Sequence, residues 1–376
     1  MRSDSRNHHP VPGRFRPSGT HASLYSPLVR LFADHEQIVV CNHRDSGLRA
    51  IIAVHDTTLG PALGGIRMWA YASDDAALTD VLRLSEGMTY KNALAGLDLG
   101  GGKTVVVGDP RSDKTPEKFR ALGRFIDRLG GSYLAAEDVG TTTDDAEQVA
   151  LETRFITGLP AARGGSGDPS PMTAWGVVCG IRAALVEAGL RDRFDGVRVA
   201  VQGAGHVGGA VARHLLAAGA VVTVADIHAD RVQPLRELGA TIAAADEIHQ
   251  LECDVYSPCA LGAVIRPETI GRLRCRVVAG AANNQLADAS MGDELKRRGI
   301  VYAPDFAINA GGVINIADEL IGDGYDPQRA KLSVERIGQT LRDVFERARA
   351  AGVAPNRAAE QMARERITAA RADPVR

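Results

Sequence analysis

The chain has 376 residues, too many for one ordinary domain, and 45% of them are apolar, enough for two cores. Lys and Arg number 44 against 46 Asp and Glu, so the net charge of −2 offers no broad basic face and disfavours a nucleic-acid partner. No stretch approaches the ~20 apolar residues of a membrane span. The five cysteines form no C-x-x-C pair, which speaks against a disulfide frame or a zinc site and for a reduced, cytoplasmic setting.

Residues 1–22 are rich in Arg, His, Pro and Gly, with little to bury, and read as a disordered tail. His8 and His9 there are read as solvated, and no metal is expected. "EQIVVCNH" and "LRAIIAVHD" are β-branched runs around a polar turn at residues 44–47, the pattern of a hairpin. "DDAALTDVLRLSEGMTYKNAL" has helical periodicity, and "KTVVVG" returns to strand. In "TPEKFRALGRFIDRLGG", Thr115 is placed to cap a helix with Pro116 at its first position. "SYLAAEDVG" reads as a strand ending in acidic residues.

A Gly/Pro-rich break at residues 158–171 is the best hinge. A long helix, "MTAWGVVCGIRAALVEAG", follows it, then strand–helix units as far as "IVYAP", and two final helices with no strand between them. The expected fold is α/β with two domains and a cleft between them. Residues 23–160, completed by C-terminal helices at 340–376, form a substrate and oligomerisation domain; residues 161–339 form a Rossmann dinucleotide-binding domain.

"VRVAVQGAGHVGG" carries G-x-G-x-x-G at Gly203, Gly205 and Gly208, with a strand before it and a helix after it. Gly203 suits a tight turn, Gly205 lets backbone approach a pyrophosphate, and Gly208 lets helix lie close to strand. The helix start, at His206 and Val207, offers N–H groups to phosphates. Asp226, 23 residues after Gly203, is placed for ribose hydroxyls and against a 2′-phosphate, which favours NAD. His228 and Arg231 nearby leave NADP open.

Three polar residues of the first half lack an obvious structural reason: Lys91 ending an apolar helix, Lys103 after three glycines, and Asp138 ending a strand. A strand–helix–strand unit would bring them to one sheet edge, where ligand sites form. "LGPALGGIRMW", "GMTYKNALAGLDLGGGKTVV", "AEDVGTT", "GAANNQLAD" and "YAPDFAINAGGVINIADEL" together resemble the glutamate/leucine/phenylalanine/valine dehydrogenase family, over residues 31–367. The resemblance implies that Lys91, with Met88 beside it, the backbone of Gly64 and Gly65, and Asn284 bind the substrate α-carboxylate. It implies Lys103 as catalytic base and Asp138 as its proton-shuttling partner, and it sets Thr173, Asn283 and Ala260 against the cofactor. One departure is Ala263, where the family's "PCALGG" has its second glycine.

Deamination leaves an iminium that water must attack, and an ordinary lysine, of pKa ≈ 10.4, is a poor base near neutral pH. Lowering it by roughly 3 units disfavours the charged form by about 4 kcal/mol, which burial and a second cation can supply. Lys91 is the expected second cation, and the glycines at 100–102 are expected to let substrate and backbone come close.

Family glutamate enzymes carry a lysine before the paired glycines and a serine after "GGV"; here Leu63 and Ile316 are apolar, so a glutamate carboxylate would lack a partner. Ala136 and Val313 match the aliphatic members rather than the phenylalanine enzymes. The expectation is NAD-dependent deamination of leucine, valine and isoleucine, with a 2-oxo acid and ammonia as products, by a homo-oligomer. A phenylalanine or glutamate dehydrogenase and a silent NAD-binding homologue are the alternatives. Leucine and valine differ by one methylene, worth only ~1–3 kcal/mol.

Overall fold

The computed structural model describes residues 35–260, 262–322 and 324–372, so the tail expected at residues 1–22 lies outside them. In the first half, β1 (Gln37–His43) and β2 (Leu48–Asp56) pair antiparallel as the expected hairpin. They are followed by β3 (Ala62–Trp69), α1 (Asp74–Leu94), β4 (Gly100–Val107), α2 (Pro116–Asp127), β5 (Tyr133–Glu137) and α3 (Thr143–Ala150). The five strands form one mixed sheet in the order β1-β2-β4-β3-β5. β4 and β5 run parallel to β3 on either side of it, because α1 and α2 act as crossovers. Helix starts follow local chemistry: Ser73 caps α1, Thr115 caps α2 with Pro116 next, and Thr142 with Asp145 forms a capping box on α3.

The glycines before Lys103 serve packing rather than substrate. A side chain at Gly100 would overlap the Asp56 carbonyl, one at Gly101 the Thr89 backbone of α1, and one at Gly102 the Tyr133 ring. This corrects the expectation that substrate approaches there. α1 lies directly on β4, and Asn92 secures it by donating to the Leu63 and Gly100 carbonyls, the latter at 2.6 Å.

The second half begins with α4 (Ser170–Glu187) and continues through β6 (Arg198–Gln202), α5 (His206–Ala217), β7 (Val221–Ala225), α6 (Ala229–Glu237) and β8 (Thr241–Ile242). Next come β9 (Val255–Pro258), α7 (Pro267–Ile270), β10 (Val277–Val278), α8 (Ser290–Arg297) and β11 (Val301–Tyr302). These strands form a parallel sheet in the order β11-β10-β9-β6-β7-β8. The order reverses between β6 and β9, the switch point where doubly wound sheets bind ligands.

α9 (Asp305–Ile308), α10 (Gly311–Ala317), α11 (Pro327–Glu335), α12 (Ile337–Ala351) and α13 (Pro355–Ala372) complete the chain. The penultimate expected helix is divided at Arg336 into α11 and α12. α12 packs along α4, where Gly180 leaves room for Ile308 and Leu341, so it stays with the second half. α13 crosses to α1, where Arg366 donates to the Ala93 and Leu97 carbonyls, and the short α9 also packs on α1. Among the described residues, no helix is long and apolar enough to cross a membrane.

Two positions make opposite demands on a Cβ atom. Gly101 has no space for one, whereas Ala263 carries one at φ 55°, the left-handed region that favours glycine. Gly101→Ala should lower stability by about 2 kcal/mol or more, since overpacking displaces α1 or β4. Ala263→Gly should raise it by about 1 kcal/mol through relief of the left-handed penalty. Urea unfolding midpoints read both, and a shift of both variants in one direction would contradict this account.

Candidate active site

The register of the first sheet aligns the polar residues of the site. Gly65 lies opposite Ala136 and Ile66 opposite Thr104, so Lys103, just before Thr104, stands level with Gly65. A Cβ at Gly65 would come within 2.6 Å of the Asp138 Cβ and 3.3 Å of the Lys103 Nζ. Into that space Lys103 extends its Nζ to 2.7 Å from Asp138 Oδ2. The Gly64 peptide is fixed from behind, where the Tyr133 hydroxyl donates to its carbonyl at 2.7 Å.

A cavity of about 320 Å³ opens over this pair, between the two halves. From the first half it is lined by Gly64, Gly65, Met88, Lys91, Lys103, Ala136 and Asp138. Thr173, Val207, Asn283, Val313 and Ile316 line it from the second. Leu63 stands outside this lining, wholly buried in the core that also holds Ala136, Val313 and Ile316.

Asn283, rather than the Asn284 expected beside Lys91, is the asparagine that reaches it. Asn283 Oδ1 accepts from Lys91 Nζ at 3.2 Å and from Asn309 Nδ2 at 2.9 Å. Asn284 has φ 50° and its carbonyl accepts from Ala263 N–H at 2.7 Å, so the turn carries it out of the cavity lining.

Burial lowers Lys91 to about 8; Asp305 opposes the shift, and Lys103 reinforces it. Burial is also the largest influence on Lys103 and lowers it, against the opposing pull of Asp138. The cation that foremost reinforces this lowering is Arg67, ahead of Lys91, whose ammonium and that of Lys103 repel one another. Burial alone would raise Asp138, yet Lys103 and Arg67 together hold its carboxyl well below the usual carboxylate range. Glu137, beside them in the cavity lining, is raised to about 7 by burial and by Asp168, Asp138 and Asp145.

The sequence reading missed Arg67, Glu137 and Asn309. Arg67 donates to Asp138 at 3.2 Å and to Asp80 at 3.1 Å. The available signal was a charge inside the apolar strand "ALGGIRMW".

A second cavity, of about 610 Å³, lies at the carboxyl end of β6 and holds Gly203, Gly205, Asp226 and Ala260. Gly203 has φ 96° with its Cβ direction filled by Ala260, whereas the Cβ direction of Gly205 is open space. Gly208 packs against the Gly203 carbonyl and Cys259, which holds α5 close to its strand. His206 is exposed at the start of α5, where among the described residues no side chain caps the N–H groups. Asp226 accepts from Ala204 N–H at 2.7 Å and His228 N–H at 2.9 Å; burial opposes these bonds, but its carboxyl stays below the usual range. An open glycine cradle, free helix N–H groups and a fixed carboxylate fit a dinucleotide.

Residues 35–155 match the family model for the Glu/Leu/Phe/Val dehydrogenase dimerisation domain. Residues 164–234 and 229–373 match the model for Glutamate/Leucine/Phenylalanine/Valine dehydrogenase. A leucine dehydrogenase of Thermoactinomyces intermedius is 54% identical over 335 residues, 89% of this chain and 91% of that protein. A phenylalanine dehydrogenase of Lysinibacillus sphaericus is 48% identical over 322 residues, 84% of each. The crystal structure of L-tryptophan dehydrogenase from Nostoc punctiforme superposes with a TM-score of 0.77 at 41% identity, covering 93% of this chain and 99% of that one. The chain belongs to the glutamate/leucine/phenylalanine/valine dehydrogenase family of pyridine-nucleotide-dependent amino-acid dehydrogenases.

Proposed function

We propose that the protein catalyses reversible, NAD-dependent oxidative deamination of branched-chain L-amino acids, giving 2-oxo acids and ammonia. The observation that carries this reading is a buried Lys103–Asp138 pair, 2.7 Å apart, in a cavity whose side-chain wall is apolar at Ala136, Val313 and Ile316. The high identity to leucine dehydrogenases supports it.

In this reading Lys91 grips the substrate α-carboxylate, with the Gly64–Gly65 backbone and Asn283 beside it. The α-amino group then lies toward Asp138. An incoming α-ammonium adds a like charge near Lys103 and favours release of the lysine proton, as burial already does. Thr173 and Val207 would hold the nicotinamide, which would supply the hydride acceptor for Cα. Asp138 takes the proton that the α-ammonium gives up before hydride leaves Cα. Neutral Lys103 takes a proton from the water that attacks the resulting iminium, and Asp138 returns its proton to the departing amine. In reverse, protonated Lys103 acts as the acid. Water is excluded as the two halves close on the substrate.

Gly203, Gly205, His206, Val207 and Gly208 would hold the pyrophosphate, with Asp226 on the ribose, which favours NAD over NADP. Leu63 backs the apolar wall. An ionised side chain desolvated against it would find no counter-charge, which costs several kcal/mol. Homo-oligomerisation through the first half is consistent with the family model that matches it. The five free cysteines suit the cytoplasm.

Lys103→Ala should lose turnover by ~10²–10⁴-fold while still binding NADH. Retention of more than about a tenth of wild-type kcat would remove Lys103 from the role of base.

The substrate assignment is tested by kcat/KM for leucine, valine, isoleucine, phenylalanine, tryptophan and glutamate, with NAD and NADP. Leucine, valine and isoleucine should all react, separated from one another by far less than from glutamate, and Asp226→Ser should narrow the preference for NAD. A profile led by an aromatic or acidic amino acid, or equal use of both nucleotides by the wild type, would overturn the reading.

A further inference from the structure

We propose that Arg67 is a positioning residue of the catalytic pair: it holds Asp138 against Lys103, and its own charge, moderated by Asp80, governs how readily the lysine gives up its proton. The inference rests on the reading of Lys103 as a base. Gly65 and Arg67 are two apart on β3, so they share one face of the strand. Gly65 leaves the space that the Lys103–Asp138 pair occupies. Arg67 closes that space with a cation.

One carboxylate oxygen, Asp138 Oδ2, faces two donors, Lys103 Nζ at 2.7 Å and Arg67 Nε at 3.2 Å. The other end of the guanidinium donates to Asp80 Oδ2 at 3.1 Å. Asp80 is itself tied down by the Tyr71 hydroxyl at 2.7 Å and by Arg83 at 3.0 Å. Asp138 is anchored through its backbone N–H to Thr141 at 2.9 Å. The result is a row of alternating charge, Asp80, Arg67, Asp138 and Lys103, with side chains no more than 18% exposed. Arg67 stands outside the cavity lining and acts through Asp138 rather than on substrate.

Of the two cations that share Asp138, only the lysine can lose its proton, because a guanidinium stays charged. The charges that face Lys103 come from three places: Arg67 on β3, Asp80 and Lys91 on α1, and Glu137 and Asp138 at the end of β5. Loss of the Arg67 charge removes a like charge, so Lys103 should hold its proton more tightly. Loss of the Asp80 charge leaves Arg67 less neutralised, so Lys103 should release its proton more readily. A purely structural bridge would not give opposite signs.

The experiment is the pH dependence of kcat/KM for leucine deamination with NAD, in the full chain, for wild type, Arg67→Gln, Arg67→Lys and Asp80→Asn. In parallel, reductive methylation of Lys103 against pH, read by peptide mass spectrometry, reports the neutral amine without turnover. Arg67→Gln should raise the midpoint of the acidic limb by about 0.5–1.5 pH units and lower kcat more than it raises KM. Arg67→Lys should recover most of the midpoint but not all of kcat, because one arm of the fork is lost. Asp80→Asn should lower the midpoint. Unmoved midpoints, or the same direction of shift in the Arg67→Gln and Asp80→Asn variants, would overturn the proposal. Should Arg67→Gln fail to fold, Asp80→Asn decides it, since a raised or unmoved midpoint there contradicts the charge row. A wild type that leaves leucine unoxidised would sink the functional reading instead, and the Lys103 methylation profile would still decide this one.

Discussion

Everything at the cleft depends on a lysine ammonium held 2.7 Å from a carboxylate with almost no access to water. Burying either charge alone costs several kcal/mol, and the pair is tolerated because the mutual attraction of the two charges offsets their desolvation and further hydrogen bonds complete the rest. That balance is delicate by construction. Burial and Arg67 push Lys103 toward its neutral form while Asp138 pulls the other way. A group balanced between two protonation states is what proton transfer at both steps of a reversible deamination requires. A lysine wholly neutralised by burial, or wholly fixed by a lone carboxylate, could serve only one direction.

The backbone around the pair is arranged to make such burial possible. Gly101 lets α1 rest on β4 without the spacing that a side chain imposes, and Gly100 and Gly102 make room for the Asp56 carbonyl and the Tyr133 ring. α1 carries Lys91 to the same cavity in its last turn. Gly65 removes a side chain where two reactive groups must meet. The glycines that precede Lys103 therefore have a mechanical role. The chain must be thin there so that helix and sheet can come together and close the space around an amine.

Much of this was legible before any coordinates. α1 spans the stretch whose periodicity announced it, the Thr115 cap and Pro116 start hold, and β6, the glycine loop and α5 follow in the order that the motif demands. These features are local, set by period, capping and turn chemistry. What escaped was decided by packing across the fold. Asn283 rather than Asn284 reaches Lys91 because Asn284 adopts a left-handed turn, a preference that adjacent asparagines share on paper. Arg67 was overlooked because its partners Asp80 and Asp138 lie 13 and 71 residues away. α12 stays with α4 because its apolar stripe finds the space left by Gly180, a match of shapes on helices far apart in the chain.

The first turn of α5 joins the two cavities. Gly205 faces the larger one, and Val207, two residues on, faces the smaller. A ligand that spans from Asp226 to the Lys103–Asp138 pair must cross this turn, where helix N–H groups are left for anionic oxygens. In the proposed function phosphate binding and substrate chemistry would lie on opposite sides of one short backbone segment, while the lysines come from the other half of the chain. Relative movement of the two halves would change the distance between a bound nucleotide and amino acid without disturbing either the glycine loop or the charge row. In the proposed function closure would gate the chemistry, because the glycine loop and the charge row each lie within one half, while the Lys91–Asn283 contact spans the cleft between them.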